Sequence, residues 1–299
     1  LVYASKEEYV GYFLNGLRQG IGQMLYCNGD HYSGSFENNQ RRGEGSLVAS
    51  NGSRYEGTWD KDMFHGMGRF ECANGEVYIG TWSYGTKSGT GRQLIPGPDG
   101  YTYEGQFENS HKHGQGDCKY LDGTIYSGEW HCDTWHGVGR CAYACGDVYE
   151  GDFQHGSKTG HGATKFRNGN QHTGQYLDGR IEGHGCLTLF NGDRYEGMFK
   201  NGLKDGAGTF FFVEGNRLMC NWVQDVLHSE AAKYIDRDNN TWRRVYQNGN
   251  LLVNEPAGKE HGASGYGGPG PAPAAPHDAE TAARGYTMPR AVPVSAPPR

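Results

Sequence analysis

The sequence predicts an all-β protein: an elongated single antiparallel meander of tandem hairpins, repeat-built and solenoid-like, ended by a short C-terminal cap and a disordered tail. Three observations predict it. A tyrosine followed two residues later by glycine and four later by an aromatic recurs almost always every 23 residues. A period of that size marks a repeat array. A Gly-x-Gly follows each such unit, and an Asn-Gly or related turn then leads to the next tyrosine, a strong hairpin signal between alternating runs.

The elements follow in order. Counting back one period from Met24 and Tyr26 reaches Leu1 and Tyr3, so residues 1–8 read as part of an earlier repeat, and more array is expected before them. Nine units start at Tyr9, Tyr32, Tyr55, Tyr78, Tyr103, Tyr126, Tyr149, His172 and Tyr195, and Leu218-Cys220-Trp222 is a decayed tenth. The step from Tyr78 to Tyr103 is 25 residues, with the extra two placed around Pro96-Gly97-Pro98. Within a unit, Tyr-x-Gly-x-Trp/Phe forms the first strand, a polar loop follows, and Gly-x-Gly opens the second. The array thus covers 1–222, and 223–256 is the cap: a helix over Gln224–Ile235, then a hairpin around Asn248-Gly249. From Ala257 to Arg299, Gly, Pro and Ala dominate, and such a segment buries too little apolar surface to offset its ordering entropy.

A side-chain period of two puts Tyr, Gly and Trp/Phe of the first strand on one face. The pairs Met24/Tyr26, Leu47/Ala49, Phe70/Cys72, Cys118/Tyr120, Cys141/Tyr143, Leu187/Leu189 and Phe210/Phe212 share it from the second strand. Glu56/Thr58, Glu104/Gln106 and Glu150/Asp152 make the other face wet. Glycine on the ring-bearing face leaves bare backbone on which a neighbouring ring can lie. With strands about 4.8 Å apart, the array predicts a rod of roughly 90 Å.

Composition agrees. Fifty glycines in 299 residues mostly occupy fixed repeat positions. The net charge of −6 falls on the array, which holds 20 Lys+Arg against 26 Asp+Glu through Trp222. An acidic array argues against a nucleic-acid cleft, which needs clustered positive charge, and weakens a general attraction to anionic membranes. The eight cysteines form no C-x-x-C pair, so neither a disulfide framework nor a zinc ribbon is indicated. With no signal peptide and no long apolar run, the chain reads as cytosolic.

Tyr-x-Gly-x-Trp-x-x-x-x-x-His-Gly-x-Gly, complete in Tyr55–Gly68 and Tyr126–Gly139 and with Phe107 for Trp in Tyr103–Gly116, resembles the MORN (membrane occupation and recognition nexus) repeat. The resemblance spans residues 1–222. Departures are His172 and Leu218 for Tyr, Cys220 for Gly, and no His before Gly43, Gly89, Gly160, Gly183 or Gly206. The resemblance implies an elongated β array acting as a scaffold, as in ciliary radial spokes, parasite cytoskeletal structures, junctional membrane proteins and regions beside lipid-kinase domains.

Catalytic chemistry finds no support. No P-loop spacing and no G-x-S-x-G elbow occurs. Asp60 and Asp62 fall on a solvated loop without the burial that shifts a carboxyl pKa. His65, His113 and His136 precede the first glycine of Gly-x-Gly, and His161 and His184 lie between the two. A metal site would need a carboxylate or thiolate at a fixed offset, so the histidines read as loop-ordering groups. No catalytic residue, cofactor or metal is expected.

The function expected is a non-enzymatic structural scaffold in a ciliary or flagellar radial-spoke-like, or cortical cytoskeletal, assembly. Its aromatic face, carried by Tyr55, Trp59, Tyr78, Trp82, Tyr103, Phe107, Tyr126, Trp130, Tyr149 and Phe153, is the candidate surface for axonemal or cytoskeletal proteins, a partner helix or a second copy. The cytoplasm, at a cilium or flagellum axoneme, is the expected location. Two alternatives stand beside it. One is an anionic-phospholipid tether using Arg41-Arg42 and Lys165-x-Arg167; the other is a targeting region of a larger enzyme.

Overall fold

The computed structural model describes residues 7–257. Leu1 and Tyr3, read as part of an earlier repeat, and the tail beyond residue 257 lie outside the described residues. The described residues form two compact units, 7–144 and 145–257, so the division falls inside the array. In the first, twelve strands run from Glu8–Leu14 to Thr134–Ala142, each antiparallel to the next. In the second, eleven strands run from Val148–Gln154 to Asn250–Pro256, antiparallel in succession except that Val226–Leu227 and Ser229–Ile235 both pair with Arg217–Val223. The all-β meander is as expected.

The strands Arg54–Asp60 and Met63–Glu71 show how a repeat is built. Their connection is Lys61-Asp62, with φ of 48° and 64°, which makes a two-residue type I′ turn matched to strand twist. Equivalent left-handed pairs occur at Asn38-Asn39, Asn109-Ser110, Cys132-Asp133 and Asn201-Gly202. The segment read as a polar loop is therefore a tight hairpin. Gly66, the first glycine of Gly-x-Gly, has φ of 63°, and the pairing register shifts between Gly57 and Trp59. It forms a bulge that a side chain would strain.

The second glycine serves the ring. A Cβ on Gly68 would lie 2.6 Å from Cε2 of Tyr55. The Tyr55 hydroxyl donates to the Thr58 carbonyl at 2.8 Å, so the ring lies flat over the glycine with its polar end satisfied. Trp59 stands edge-on between Tyr55 and Tyr32, 5.2 Å from each centroid, and its indole N–H reaches the Gly45 carbonyl at 3.1 Å. Each repeat thereby closes over the preceding one.

At the other end of the strands, Gly52 and Gly75 are left-handed (φ 91° and 87°), but their asparagines are not. Asn51 and Asn74 act instead through their side chains, accepting the N–H groups of Ser53 and Glu76 at 2.9 and 3.0 Å. The two-residue insertion stays in the connection, where Gly97 is left-handed and Gly100 N–H bonds its carbonyl, and Gly91 still faces Gly105.

The helix predicted over Gln224–Ile235 is not formed. That stretch makes a short strand, Val226–Leu227, and a longer one, Ser229–Ile235, paired to Arg217–Val223. Strands Thr241–Gln247 and Asn250–Pro256 continue the meander around the Asn248-Gly249 turn. The open edge of Arg217–Val223 offers unpaired backbone groups, and pairing with them outweighs the intrinsic preference of Ala231-Ala232-Lys233 for helix.

Candidate partner-binding face

All ten residues predicted to line the face are core. Tyr55, Trp59, Tyr78, Trp82, Tyr103, Phe107, Tyr126, Trp130, Tyr149 and Phe153 are between 0% and 5% exposed. Burial raises their tyrosine hydroxyls, Tyr78 to about 12. The outer surface of this face is the layer set upon these rings, and two rows supply it.

The first row stands nine residues after each repeat's leading tyrosine. It holds Arg18, Arg41, Phe64, Lys87, Lys112 and Trp135 in the first unit, and Lys158, Ile181 and Lys204 in the second. Phe64 stacks on Tyr55 at 3.7 Å and Trp135 on Tyr126 at 4.6 Å. At the other positions except Ile181 a cation covers the ring. The Arg41 guanidinium lies 4.1 Å from the Trp59 centroid, and the Lys112 and Lys204 ammonium groups lie 4.8 and 4.4 Å from Trp130 and Trp222. Burial pulls Lys112 and Lys204 below the usual lysine range, against the opposing pull of Asp133 and Asp225. Burial likewise holds Asp225 above the usual carboxylate range, so desolvation outweighs the 3.8 Å pairing with Lys204.

This row is tied to the next repeat. The backbone N–H groups of Arg41, Lys112 and Lys204 donate to the side chains of Asp62, Asp133 and Asp225 at 2.8–2.9 Å. Sequence reading missed the row because a charge between two strands looks solvated; the stem and head lie instead across a ring.

The second row stands seventeen residues after the tyrosine. Tyr26, Ala49, Cys72, Ile95, Tyr120 and Tyr143 are half-buried in the first unit, as are Phe166 and Phe212 in the second. These side chains, together with the Glu76–Lys87–Gln93 network, give the face an apolar strip with placed polar groups. On the wet face, Gln106, Glu129 and Asp152 accept the N–H groups of Gln115, Val138 and His161 across the bulges at 2.9, 3.3 and 3.0 Å.

Of the four basic residues proposed for phospholipid, two are committed to carboxylates. Arg41 bonds Asp62 at 3.1 Å, and Arg42 pairs with Glu37 and with Asp60. Lys165 and Arg167 are exposed. Asp60 and Asp62 are thus partners of arginine. All eight cysteines are free, and burial raises the thiols of Cys118 and Cys220 to about 11 and about 12, the reverse of what a nucleophile needs. His113 comes together with His131 and Cys132, a grouping the linear sequence conceals because it joins adjacent repeats. No helix among the described residues is long and apolar enough to cross a membrane.

Among solved structures, the chain is similar to the TCP10 domain of Danio rerio CPAP in complex with a peptide of STIL. Identity is 12%, with 84% of this chain and 100% of that one covered, and the TM-score is 0.30. It is also similar to the SAS-4 (dCPAP) TCP domain of Drosophila melanogaster in complex with a proline-rich motif of Ana2, at 12% identity, 73% and 91% coverage and a TM-score of 0.25. No curated protein matches it. The MORN repeat model matches nine successive segments: 9–31, 32–54, 55–77, 78–96, 103–125, 126–148, 149–171, 172–194 and 195–217. With ring, glycine and turn placed alike in unit after unit, the chain belongs to the MORN-repeat family.

Proposed function

We propose that this MORN-repeat scaffold is non-enzymatic and binds protein partners along its ring-floored face, within a ciliary or flagellar radial-spoke-like or cortical cytoskeletal assembly. MORN repeats serve as modules for protein or lipid binding and are generally non-catalytic. The observation that carries the protein reading is the half-buried row Tyr26, Ala49, Cys72, Ile95, Tyr120 and Tyr143 above a sealed ring floor. Such a strip suits a partner helix or extended segment, because apolar anchors sit at one repeat spacing with polar groups beside them. A lipid tether is the weaker reading, since Arg41 and Arg42 are already paired with carboxylates.

Proximity labelling in the source cell, with affinity capture of the full chain, tests the proposal. Recovery of axonemal or cytoskeletal proteins that is lost on Tyr26→Glu/Ile95→Glu supports it. Capture of lipid alone overturns it, as does binding to anionic vesicles at physiological salt with no protein partner.

A further inference from the structure

The histidine that precedes Gly-x-Gly points toward the next repeat, and the fold fixes what it meets there. In the first unit Gln19, at this position, accepts the Asn38 N–H at 3.0 Å, and Arg42 reaches Asp60 at 3.4 Å. His65 lies 4.6 Å from the Tyr84 ring. In the second unit Glu182 and Asp205 accept the N–H groups of Asn201 and Gln224 at 2.8 and 3.3 Å. At these five positions the side chain faces the last strand residue or the first turn residue of the following hairpin.

In the repeats led by Tyr103 and Tyr126 that corner holds only metal-ligating types. His113 faces His131, the last residue of its strand, and Cys132, the first turn residue; one donor atom from each lies within 4.8 Å of the others. Their rings are 5.1 Å apart, and Glu108 Oε2 is 3.4 Å from His113 Nε2. Tetrahedral zinc with nitrogen and thiolate ligands needs donor separations of about 3.5 Å. His131 and Cys132 are exposed and His113 half-buried, so small side-chain rotations close the gap without moving the backbone.

We infer that His113, His131 and Cys132 form a binding site for a divalent transition metal of the zinc class, clasping two adjacent repeats. Two imidazoles and a thiolate are borderline-soft donors that favour Zn²⁺ or Co²⁺ over Mg²⁺ or Ca²⁺. Glu108 or water completes the tetrahedron. Binding displaces the Cys132 thiol proton to solvent, so no oxidant or reductant is involved. The clasp adds a metal-mediated link between repeats at the turn edge, beside the hydrogen bonds Asp133 makes there: its N–H to the Lys112 carbonyl at 3.1 Å, and its side chain to Lys112 N–H and His111 Nδ1 at 2.8 and 2.6 Å.

The test is a Co²⁺ titration of the full chain, reduced and stripped with chelator. The expected result is saturation at one ion per chain, with thiolate-to-cobalt charge-transfer absorption that Zn²⁺ removes. Cys132→Ser abolishes that band, His113→Ala and His131→Ala each weaken binding by about tenfold or more, and Cys27→Ser and Cys145→Ser leave it intact. Zn²⁺ raises the melting temperature of the parent chain and not of Cys132→Ser, whose far-UV spectrum matches the parent. Absence of saturable binding, or a band that survives Cys132→Ser, overturns the inference.

Discussion

The repeat led by Tyr55 and the repeat led by His172 carry the same backbone on different chemistry. In the first, a phenol lies over Gly68, its hydroxyl bonded to the Thr58 carbonyl, with Phe64 stacked on its other side. In the second, an imidazole takes the place of the phenol over Gly185 and Ile181 takes the place of Phe64. Its Nδ1 bonds the Tyr176 hydroxyl at 2.9 Å, which in turn bonds Thr164 at 2.7 Å. Its Nε2 is buried without a hydrogen-bond partner. The pairing Gly174 with Gly185 nevertheless reproduces that of Gly57 with Gly68. The difference teaches that the glycines, the bulge and the turns define the unit, while the ring fills it and sets its robustness.

Five substitutions sharpen or break this comparison. The largest effect belongs to Gly68→Ala, because the new methyl meets an entire ring edge; a loss of about 3 kcal/mol is expected in chemical denaturation. Gly185→Ala meets the imidazole mainly at its Nε2 tip, with Cε1 and Phe199 at 3.3 Å, and costs about 1 kcal/mol. Equal losses at the two sites would show that the ring does not distinguish the repeats.

Next is acid sensitivity. Burial lowers His172 from 6.5 to about 4, so the folded chain keeps the ring neutral while the unfolded chain takes up a proton as pH falls. The stability tied to the neutral ring is fully present above pH 6.5 and is lost as pH drops to about 4. The linked loss is about 3 kcal/mol at most. Melting curves of the parent and His172→Tyr across that window should diverge, with the parent falling further; parallel curves would contradict a buried neutral imidazole.

Phe64→Ile copies the cover of the His172 repeat onto Tyr55. It removes one stacked pair but keeps apolar cover, and a loss of about 1 kcal/mol in thermal or urea unfolding is expected. The smallest effect is Asp62→Asn. The side-chain acceptor for Arg41 N–H is retained and only an exposed ion pair is lost, so stability should stay within about 0.5 kcal/mol and vary little with salt. The equivalent Gly179 has no side chain and holds its neighbour through its own N–H, bonded to the Lys158 carbonyl at 2.9 Å.

Much of the fold was legible because its determinants are local and periodic. Tyr55, Gly57, Trp59 and the Gly66-x-Gly68 pair state ring, bare backbone and bulge within one unit. The tight hairpin at Lys61-Asp62 was hidden because left-handed residues there include lysine, cysteine, glutamine and tyrosine as well as asparagine. Ser229–Ile235 was misread as helix because its strand state depends on an available edge, which local sequence does not display. The face was half legible. Its rings were found, but their complete burial follows from the covering side chains Arg41, Phe64, Lys112 and Trp135, whose role appears only when adjacent strands and repeats are brought together. The His113–His131–Cys132 grouping was hidden for the same reason.

The central claim is that the covering layer of the ring-floored face, and not the wet face, meets protein partners. The direct measurement is paired proximity capture with two sets of variants in residues 7–144, Tyr26→Glu/Ile95→Glu on the strip and Glu56→Lys/Glu104→Lys on the opposite face, each confirmed folded by far-UV spectrum. The account predicts that the first set loses the captured proteins and the second retains them. Retention by the first set with loss by the second would contradict it.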